Sequence, residues 1–389
     1  MLKTADAVVV GGGILGASTA HFLAKRGFGK VALLEKRTLS AVSTGHSAAV
    51  IRTFYSNALT IRLALRALEM FGHDRDELGG DCRFRKTGYL CLLSEHTAAS
   101  GRQVLQAERA QGVEVKDLSG EEVQKLIPPI DLKGLVGGVY EPNSGYADPV
   151  RTTRNLVEKA KEWGLEAYEG VGATGIRLKE GRVVGVDTEQ GTIDTRVVVN
   201  AAGPWGRHVG LGIGLNTSLR WSRESDIVLK KPAGLGPFPV TSDPNLRIYL
   251  RPEGEDEVLA GLSFPKEVEP LDIENYDPQM DAVTRKRIED GIFERIPILR
   301  GAAYVRGWAS VYTITDDWHP LVGPEPGLEG YYACFGGSGH SFKLGPPIGE
   351  SLSAVIAGET PKLDLRALRP SRFVEGEIFT SAWGGGNRG

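Results

Sequence analysis

Three glycines near the start of the chain have a spacing that suits the binding of a phosphate group. Gly11, Gly13 and Gly16 follow the pattern G-x-G-x-x-G, directly after the apolar run 7–10 and before a helix-like stretch at 17–24. The first glycine permits a tight turn, the second lets backbone approach a pyrophosphate, and the third allows close packing of helix on strand. The N-terminus of a helix favours an anion. These residues predict a strand–turn–helix unit that binds a dinucleotide.

An acidic residue follows at the distance expected for such a unit. The apolar segment 31–34 predicts a second strand, which ends at Glu35, nineteen residues after Gly16. A carboxylate at that position can accept hydrogen bonds from the hydroxyls of a ribose. The glycines and Glu35 together are therefore more specific for a dinucleotide than a glycine-rich turn alone.

Three later segments combine small residues with apolar or basic ones. Segment 40–55 is rich in serine, threonine, glycine and alanine before it reaches Arg52. Segment 195–205 is an apolar strand that runs into Gly203, and segment 331–345 passes from an apolar strand into several glycines. Small residues allow close approach of backbone to a ligand, so all three segments are candidates for contact with a large planar cofactor.

The composition is that of an ordinary globular protein. The chain has 389 residues, of which 41% are hydrophobic and 24% charged, with a formal net charge of −3. This charge gives no argument for binding to nucleic acid or an anionic membrane. Cys82, Cys91 and Cys334 form no C-x-x-C pair, so the sequence predicts neither a disulfide framework nor a metal site, and it favours the cytoplasm. No secretory signal and no apolar run of about 20 residues is expected.

The elements that must position these segments can be read from local signals. Asp148 and Pro149 suit the N-cap and the first residue of a helix. Apolar residues near helical spacing predict one helix over 57–78. A last helix is expected to begin near Pro346, because proline is favoured in a first turn, and to end at Gly358.

The combination of these blocks resembles the D-amino-acid oxidase superfamily of FAD enzymes, and within it the monomeric sarcosine oxidase and glycine oxidase group. The resemblance covers Asp6 to about Gly358. It is most specific in segment 336–345, GGSGHSFKLG, which looks like that group's G-x-S-G-H-G-F-K-x block. Ser341 stands where the group usually has glycine.

The resemblance implies FAD as the cofactor and a mixed α/β fold in two domains. A discontinuous, Rossmann-like FAD-binding domain would comprise residues 1–80, 141–218 and 323–389. An inserted substrate-binding domain, with an antiparallel sheet over the isoalloxazine, would comprise residues 81–140 and 219–322.

The resemblance also implies roles for single residues. Arg52 and Lys343 resemble the pair that holds the substrate carboxylate, for which arginine offers a bidentate fork and lysine a point charge. Tyr249 and Tyr312 resemble tyrosines that line the substrate cavity, and His46 resembles a histidine close to the flavin. The predicted contacts with FAD are Gly11, Gly13, Ile14, Leu15, Gly16, Glu35, Lys36, Ser43, Thr44, Gly45, His46, Ser47, Val171, Ala201, Gly203, Trp205, Gly336, Gly337, Ser338, Gly339, His340 and Lys343.

Two departures from the family pattern affect the expected chemistry. Ser310 stands where monomeric sarcosine oxidases attach the flavin to a cysteine, so FAD is expected to bind non-covalently. The oxygen-activating lysine of those enzymes aligns with Ala260, within a residue or two, and Lys266 lies nearby. A missing lysine predicts slow reoxidation by oxygen and faster reoxidation by a dye or quinone.

The predicted activity is that of an FAD-dependent amine oxidoreductase acting on a small amino acid or N-methyl amino acid such as sarcosine, glycine, dimethylglycine or proline. Hydride would pass to the flavin and the imine would hydrolyse in water. One alternative is an oxidoreductase for 2-hydroxy acids, which would need a histidine base such as His46 or His340. Another is an FAD-bearing subunit of a larger amine dehydrogenase complex. The amine, the acceptor (oxygen or a dye or quinone), and a homo-oligomeric or hetero-complex state stay open.

Overall fold

The computed structural model describes residues 2–263, 268 and 271–380, and Lys266 lies outside them. The helices are α1 (Ile14–Lys25), α2 (Ala58–Gly72), α3 (Asp74–Glu77), α4 (Glu95–Ala110), α5 (Gly120–Leu126), α6 (Pro149–Lys161), α7 (Gly206–Leu211), α8 (Ala282–Arg295), α9 (Ser341–Ile356) and α10 (Arg372–Glu375). In the described part of the chain, none of them is long and apolar enough to cross a membrane.

The strands are β1 (Ala7–Val10), β2 (Val31–Glu35), β3 (Val50–Ile51), β4 (Tyr89–Leu93), β5 (Lys116–Ser119), β6 (Gly137–Glu141), β7 (Gly145–Tyr146), β8 (Glu166–Glu169), β9 (Ala173–Lys179), β10 (Arg182–Thr188), β11 (Gly191–Asp194), β12 (Val198–Asn200), β13 (Arg220–Lys230), β14 (Val240–Asp243), β15 (Ile248–Glu253), β16 (Glu257–Leu262), β17 (Tyr304–Ile314), β18 (Leu321–Pro324) and β19 (Tyr331–Phe335).

A mostly parallel sheet carries the glycine turn. Its order is β18-β19-β12-β1-β2-β8, and only β18 and β19 run antiparallel to each other. The central strand β1 places Val9 opposite Leu33 of β2 and Val199 of β12. One face of the sheet packs against α1, which in turn packs on α6 and α9, and the other face packs against the antiparallel strands β9–β11. Burial on both faces explains why β1 is apolar throughout.

A second sheet is built from two distant parts of the chain. Its order is β17-β13-β16-β15-β14-β4-β6-β5, and every pair is antiparallel except β14 and β4. One face packs on α8 through Ile288 and Ile292, and the alternate residues of the strands point to the other face. The fold class, a Rossmann-like unit with an antiparallel-sheet unit, is thereby confirmed, whereas the proposed domain boundaries stay a prediction.

The structure confirms one helix start and corrects two other helix predictions. The carboxylate of Asp148 accepts a hydrogen bond from the Arg151 N–H at 2.9 Å, and Pro149 is the first residue of α6. The single helix expected over 57–78 is wrong, because His73 has φ −124° and ψ 41° and separates α2 from α3. The start expected near Pro346 is also wrong.

Helix α9 begins at Ser341 and contains both Pro346 and Pro347 in its interior. A proline inside a helix removes the hydrogen bond to the carbonyl four residues earlier, and its ring also clashes with that carbonyl. In α9 the burial of the helix against α1 and α2 offsets this cost. The earlier start matters for the site, because it places Lys343 in the first turn of a largely buried helix.

Candidate active site

Glycine is needed for a different structural reason at each of the three positions Gly11, Gly13 and Gly16. A Cβ on Gly11, which has φ +113°, would lie 2.3 Å from the Ala201 carbonyl oxygen of the neighbouring strand. A Cβ on Gly16 would lie 1.9 Å from the Gly11 carbonyl oxygen, so this glycine lets α1 approach β1. A Cβ on Gly13 would meet only Thr44 Oγ1, at 3.2 Å. Gly13 therefore presents bare backbone at the start of α1, where an anion is favoured.

The acidic residue at the end of β2 is held in a fixed orientation. Glu35 Oε2 accepts a hydrogen bond from the Gly12 N–H at 2.7 Å, and Glu35 Oε1 accepts one from the Arg37 N–H at 2.8 Å. Beside it, Lys36 Nζ lies 3.5 Å from the centroid of the Trp205 ring, close enough for a cation–π interaction. The carboxylate thus keeps acceptor capacity for a ribose next to a positively charged wall.

A cavity of about 370 Å³ runs along the parallel sheet and reaches the second sheet at Val311 and Tyr312. The predicted FAD contacts that line it are Gly11, Gly13, Ile14, Leu15, Glu35, Lys36, Ser43, Thr44, Ser47, Ala201, Gly203, Trp205, Gly336, Gly337, Ser338 and Gly339. The others, which lie outside its lining, are Gly16, Gly45, His46, Val171, His340 and Lys343. The cavity therefore collects residues from the three small-residue segments that the sequence singled out.

The residues present fit FAD. Gly203, at φ +53°, would have no atom within 4 Å of an added Cβ, so its backbone faces open space on the cavity wall. Ser40 Oγ, on the same wall, is buried and has no hydrogen-bond partner among the described residues. A buried hydroxyl without a partner is costly, and a polar ligand would satisfy it. Bare backbone, a carboxylate and an unsatisfied hydroxyl suit the phosphates and ribose of a dinucleotide.

Tyr55 brings together the two cations that the sequence assigned to the carboxylate. The Arg52 guanidinium lies 4.4 Å from the centroid of the Tyr55 ring, and Lys343 Nζ donates to the Tyr55 hydroxyl at 3.1 Å. The same hydroxyl lies 2.9 Å from His340 Nδ1. All four side chains are buried. Burial, and then the charge of Arg52, hold the pKa of Lys343 well below its usual range.

The two predicted cavity tyrosines lie on the face of the second sheet that points away from α8. Tyr249 and Asp226 lie on either side of Gly261 in the strand register, and the Tyr249 hydroxyl donates to Asp226 Oδ1. Tyr312 contacts the other predicted block, because a Cβ on Gly339 would lie 2.4 Å from its ring. Burial raises the pKa of both tyrosines, and the nearby carboxylates raise these pKa values further.

His46 has a different environment from the cluster around Tyr55. Its Nδ1 lies 2.8 Å from the Val42 carbonyl oxygen, and its own carbonyl accepts a hydrogen bond from Trp308 Nε1 at 3.0 Å. In the same segment, Ser43 Oγ donates to the Val311 carbonyl at 2.6 Å. These contacts tie the segment to the second sheet, which makes His46 part of a connection between the sheets.

The alignment of Ala260 with an oxygen-activating lysine is not supported by the structure. Ala260 is fully buried on the α8 side of the sheet, opposite Ile227 and Leu250 in the register. The neighbouring Gly261 is the residue that faces Asp226 and Tyr249. Since strand side chains alternate between faces, a difference of one residue decides whether a side chain points toward α8 or toward Tyr249. The residue at this register that faces the cavity side is therefore Gly261, which is not a lysine either, so slow reoxidation by oxygen stays a prediction.

Sequence reasoning missed several residues of the site. Tyr55 is the last residue of segment 40–55, but nothing local marks it as the residue that joins Arg52, Lys343 and His340. For Asp226 the sequence contains a weak indication of a role in the site. Glu224 and Asp226 are two residues apart on β13, a strand whose second half is buried. Such a pattern places both acids on one face of the strand.

Comparisons with known proteins agree with this geometry. The sequence profile of the family described as "FAD dependent oxidoreductase" (DAO) matches residues 6–355. Mitochondrial sarcosine dehydrogenase of Mus musculus is 29% identical over 383 residues, covering 95% of this chain and 42% of that protein. Mitochondrial dimethylglycine dehydrogenase of Rattus norvegicus is 26% identical over 387 residues, covering 95% of this chain and 45% of that protein.

A solved structure extends the likeness to the whole fold. L-proline dehydrogenase from P. horikoshii superposes with a TM-score of 0.90 at 27% identity, covering 97% of this chain and 100% of that chain. By contrast, the chain spans less than half the length of the two curated relatives.

Proposed function

Because the chain belongs to the DAO family of FAD-dependent oxidoreductases, we propose that it oxidises the carbon–nitrogen bond of a small amino acid or N-methyl amino acid. The observation that supports this substrate class most directly is the meeting of Arg52 and Lys343 at Tyr55. Two buried cations in one cluster favour an anionic ligand, and the planar fork of arginine matches a carboxylate.

The carboxylate would complete the charge balance of this cluster. Arg52 is 8% exposed and Lys343 is 5% exposed, so both charges lie largely outside water. The pKa of Lys343 is lowered by burial and by Arg52, which disfavours its charged form. A bound carboxylate near both would reverse that trend, since an opposite charge favours the protonated amine. Substrate binding is thus expected to fix a fully charged Lys343.

The amine end would lie toward the second sheet. Asp226 and the Tyr249 hydroxyl form a polar pair on the face opposite α8, and Tyr312 is influenced electrostatically both by Asp226 and by Arg52. A carboxylate can accept a hydrogen bond from a substrate N–H, and a tyrosine hydroxyl can accept one or donate one to an unprotonated nitrogen. Anchoring both ends of a small amino acid in this way would orient its carbon–hydrogen bond for transfer.

When bound, FAD supplies the hydride acceptor. The residues that would hold it are the glycine turn at Gly11–Gly16, Glu35, Thr44 and the turn at 336–339. The protein's own contribution is to bind the carboxylate, orient the amine and exclude water, and the imine product then hydrolyses in solution. Non-covalent attachment is proposed because Ser310 offers no thiol.

The names of the relatives narrow the proposed substrates. Sarcosine, dimethylglycine and L-proline, after which the three compared proteins are named, each carry one carboxylate and an N-alkylated amine. We therefore place N-alkylated amino acids ahead of primary ones.

The test is anaerobic mixing of the yellow holoenzyme with single substrates while the flavin absorbance is followed. We expect bleaching with at least one of sarcosine, dimethylglycine and L-proline, and little with acetate or methylamine, which lack one of the two anchoring groups. Bleaching only by 2-hydroxy acids would replace the proposal by the hydroxy-acid alternative. Absence of bleaching by every amine would favour a subunit that acts within a complex.

A further inference from the structure

Two buried carboxylic acids lie directly behind the segment that carries Arg52. Glu108 on α4 is 0% exposed, and Glu141 at the end of β6 is 1% exposed. Thr53 joins them, because its N–H donates to Glu141 Oε2 at 2.8 Å and its hydroxyl donates to Glu108 Oε1 at 2.8 Å. The Ser144 hydroxyl donates to the same oxygen of Glu141. Both acids are thus anchored on the residue next to Arg52.

Each of the two acids has one buried oxygen without a hydrogen-bond donor among the described residues. These oxygens are Glu108 Oε2 and Glu141 Oε1. Both carboxyl groups accept hydrogen bonds from Thr53, which places them close together. Two ionised carboxylates in contact repel strongly away from water, whereas a protonated one becomes a donor to the other. Burial, and then the charge of Glu141, raise the pKa of Glu108 far above its usual range.

The charges that face this pair belong to the proposed carboxylate site. Arg52 stabilises the charged form of Glu108, and Glu141 stabilises the charged forms of Arg52 and Lys343. The other titratable groups nearby are on β4: Tyr89, which lies opposite Glu141 in the sheet register, and Cys91, which also influences Arg52. The net charge of the acid pair therefore contributes to the charge that an incoming ligand meets at Arg52 and Lys343.

We propose that Glu108 and Glu141 hold one proton between them and that, as a singly charged pair, they position Arg52 for carboxylate binding. This inference rests on the proposed carboxylate site. One negative charge balances Arg52 and leaves Lys343 for the ligand. A second negative charge would repel the ligand carboxylate and disturb the contacts of Thr53. Both glutamates are positioning residues, because they act through Thr53 and Arg52.

The experiment measures binding of acetate, which has no amine to titrate, to the FAD-loaded protein by perturbation of the flavin spectrum. The variants are Glu108→Gln and Glu108→Leu, with Glu95→Gln on the exposed face of the same helix as the control. A glutamine donates an N–H where the protonated acid donates its O–H, so Glu108→Gln should bind within about twofold of the wild type at neutral pH. Glu108→Leu leaves a buried oxygen of Glu141 unsatisfied and should weaken binding by about tenfold or more.

The pH profile separates a proton-sharing pair from a merely structural one. Wild-type affinity should fall in the alkaline range as Glu108 loses its proton, because burial and Glu141 raise the pKa of Glu108, and Glu108→Gln should lack that part of the fall. Deprotonation of Lys343 lowers the affinity for acetate in both the wild type and Glu108→Gln. The difference between the two pH profiles therefore reports the titration of Glu108. Identical profiles, or equal loss in Glu108→Gln and Glu108→Leu, would overturn this inference alone. If Glu108→Leu does not fold, the comparison of the profiles still decides.

One further outcome of the acetate experiment would also contradict the proposed carboxylate site. If acetate and larger carboxylates leave the flavin spectrum of the wild type unchanged at every pH, the carboxylate site itself is wrong. The inference about Glu108 and Glu141 would then fall together with the proposed function.

Discussion

Arg52 is the residue on which substrate recognition is expected to depend most. Its guanidinium lies 4.4 Å from the centroid of the Tyr55 ring and 5.5 Å from that of the Tyr89 ring. We expect Arg52→Ala to weaken substrate binding by on the order of 2–5 kcal/mol, because the desolvated carboxylate loses its partner. Reduction of the flavin by substrate should be impaired as a result. Arg52→Lys should also be impaired, since the fork is lost. Rapid-reaction titration with substrate measures this.

The control for that prediction is Arg102→Ala, which removes an arginine that pairs with Asp117 on the surface. It should leave reduction unchanged, and the Arg52 variants should retain FAD. Reduction kinetics in Arg52→Ala equal to those of the wild type would remove Arg52 from the carboxylate site.

Ser310 leads to a prediction about attachment of the cofactor. Its hydroxyl is buried, without a hydrogen-bond partner in the described part of the chain, on the strand that also carries the cavity residues Val311 and Tyr312. A serine cannot form the thioether that a cysteine would form, so acid precipitation should leave free FAD in the supernatant. Yellow colour that stays with the precipitate would contradict non-covalent binding.

At the scale of elements, we expect the contact between α1 and α6 to make the stability of the protein depend on pH. His21 on α1 is 1% exposed and donates from Nδ1 to the Leu156 carbonyl at 2.8 Å, and burial lowers the pKa of His21 to about 4. The folded state therefore binds fewer protons than the unfolded state between about pH 6.5 and this value. Stability is lost as the pH falls through that window, by roughly 3 kcal/mol in total.

His21→Gln keeps a donor for Leu156 and removes the titration, so its free energy of unfolding should vary less over that range. Chemical denaturation at several pH values provides the measurement. His73→Gln is the matched control, because His73 also contacts a helical carbonyl through Nδ1, that of Glu69 at 3.0 Å, but is exposed. A steep loss of stability that persists in His21→Gln would assign the effect to other groups.

At the scale of the whole molecule, the cofactor cavity joins the two sheets. Its wall includes Val10 of the parallel sheet and Val311 and Tyr312 of the antiparallel sheet. A ligand that contacts both sheets only in the folded state should stabilise the molecule, by about 2.7 kcal/mol at a hundredfold excess over the dissociation constant. The apoprotein should therefore unfold at a lower temperature than the holoprotein, and added FAD should restore the difference. Equal melting temperatures would argue against this cavity as the FAD site.

Local sequence determined the elements whose causes lie within a few residues of each other. Gly11 and Gly13 lie in the turn after β1, Gly16 lies in the first turn of α1 and Glu35 ends the adjacent strand β2, so their spacing alone predicts a dinucleotide-binding unit. Asp148 and Pro149 likewise start α6 through contacts within one helical turn. The fold class was then predicted from the resemblance of these segments to a known family.

Tertiary structure decided everything that depends on register or on distant contacts. Lys343 and Tyr55 are 288 residues apart in the sequence, and no local pattern predicts that their side chains meet. The face on which Ala260 lies depended on strand register, where a shift of one residue moves a side chain from the cavity to the core. The proton shared by Glu108 and Glu141 arises only when folding buries both acids against Thr53, because in water each would ionise independently.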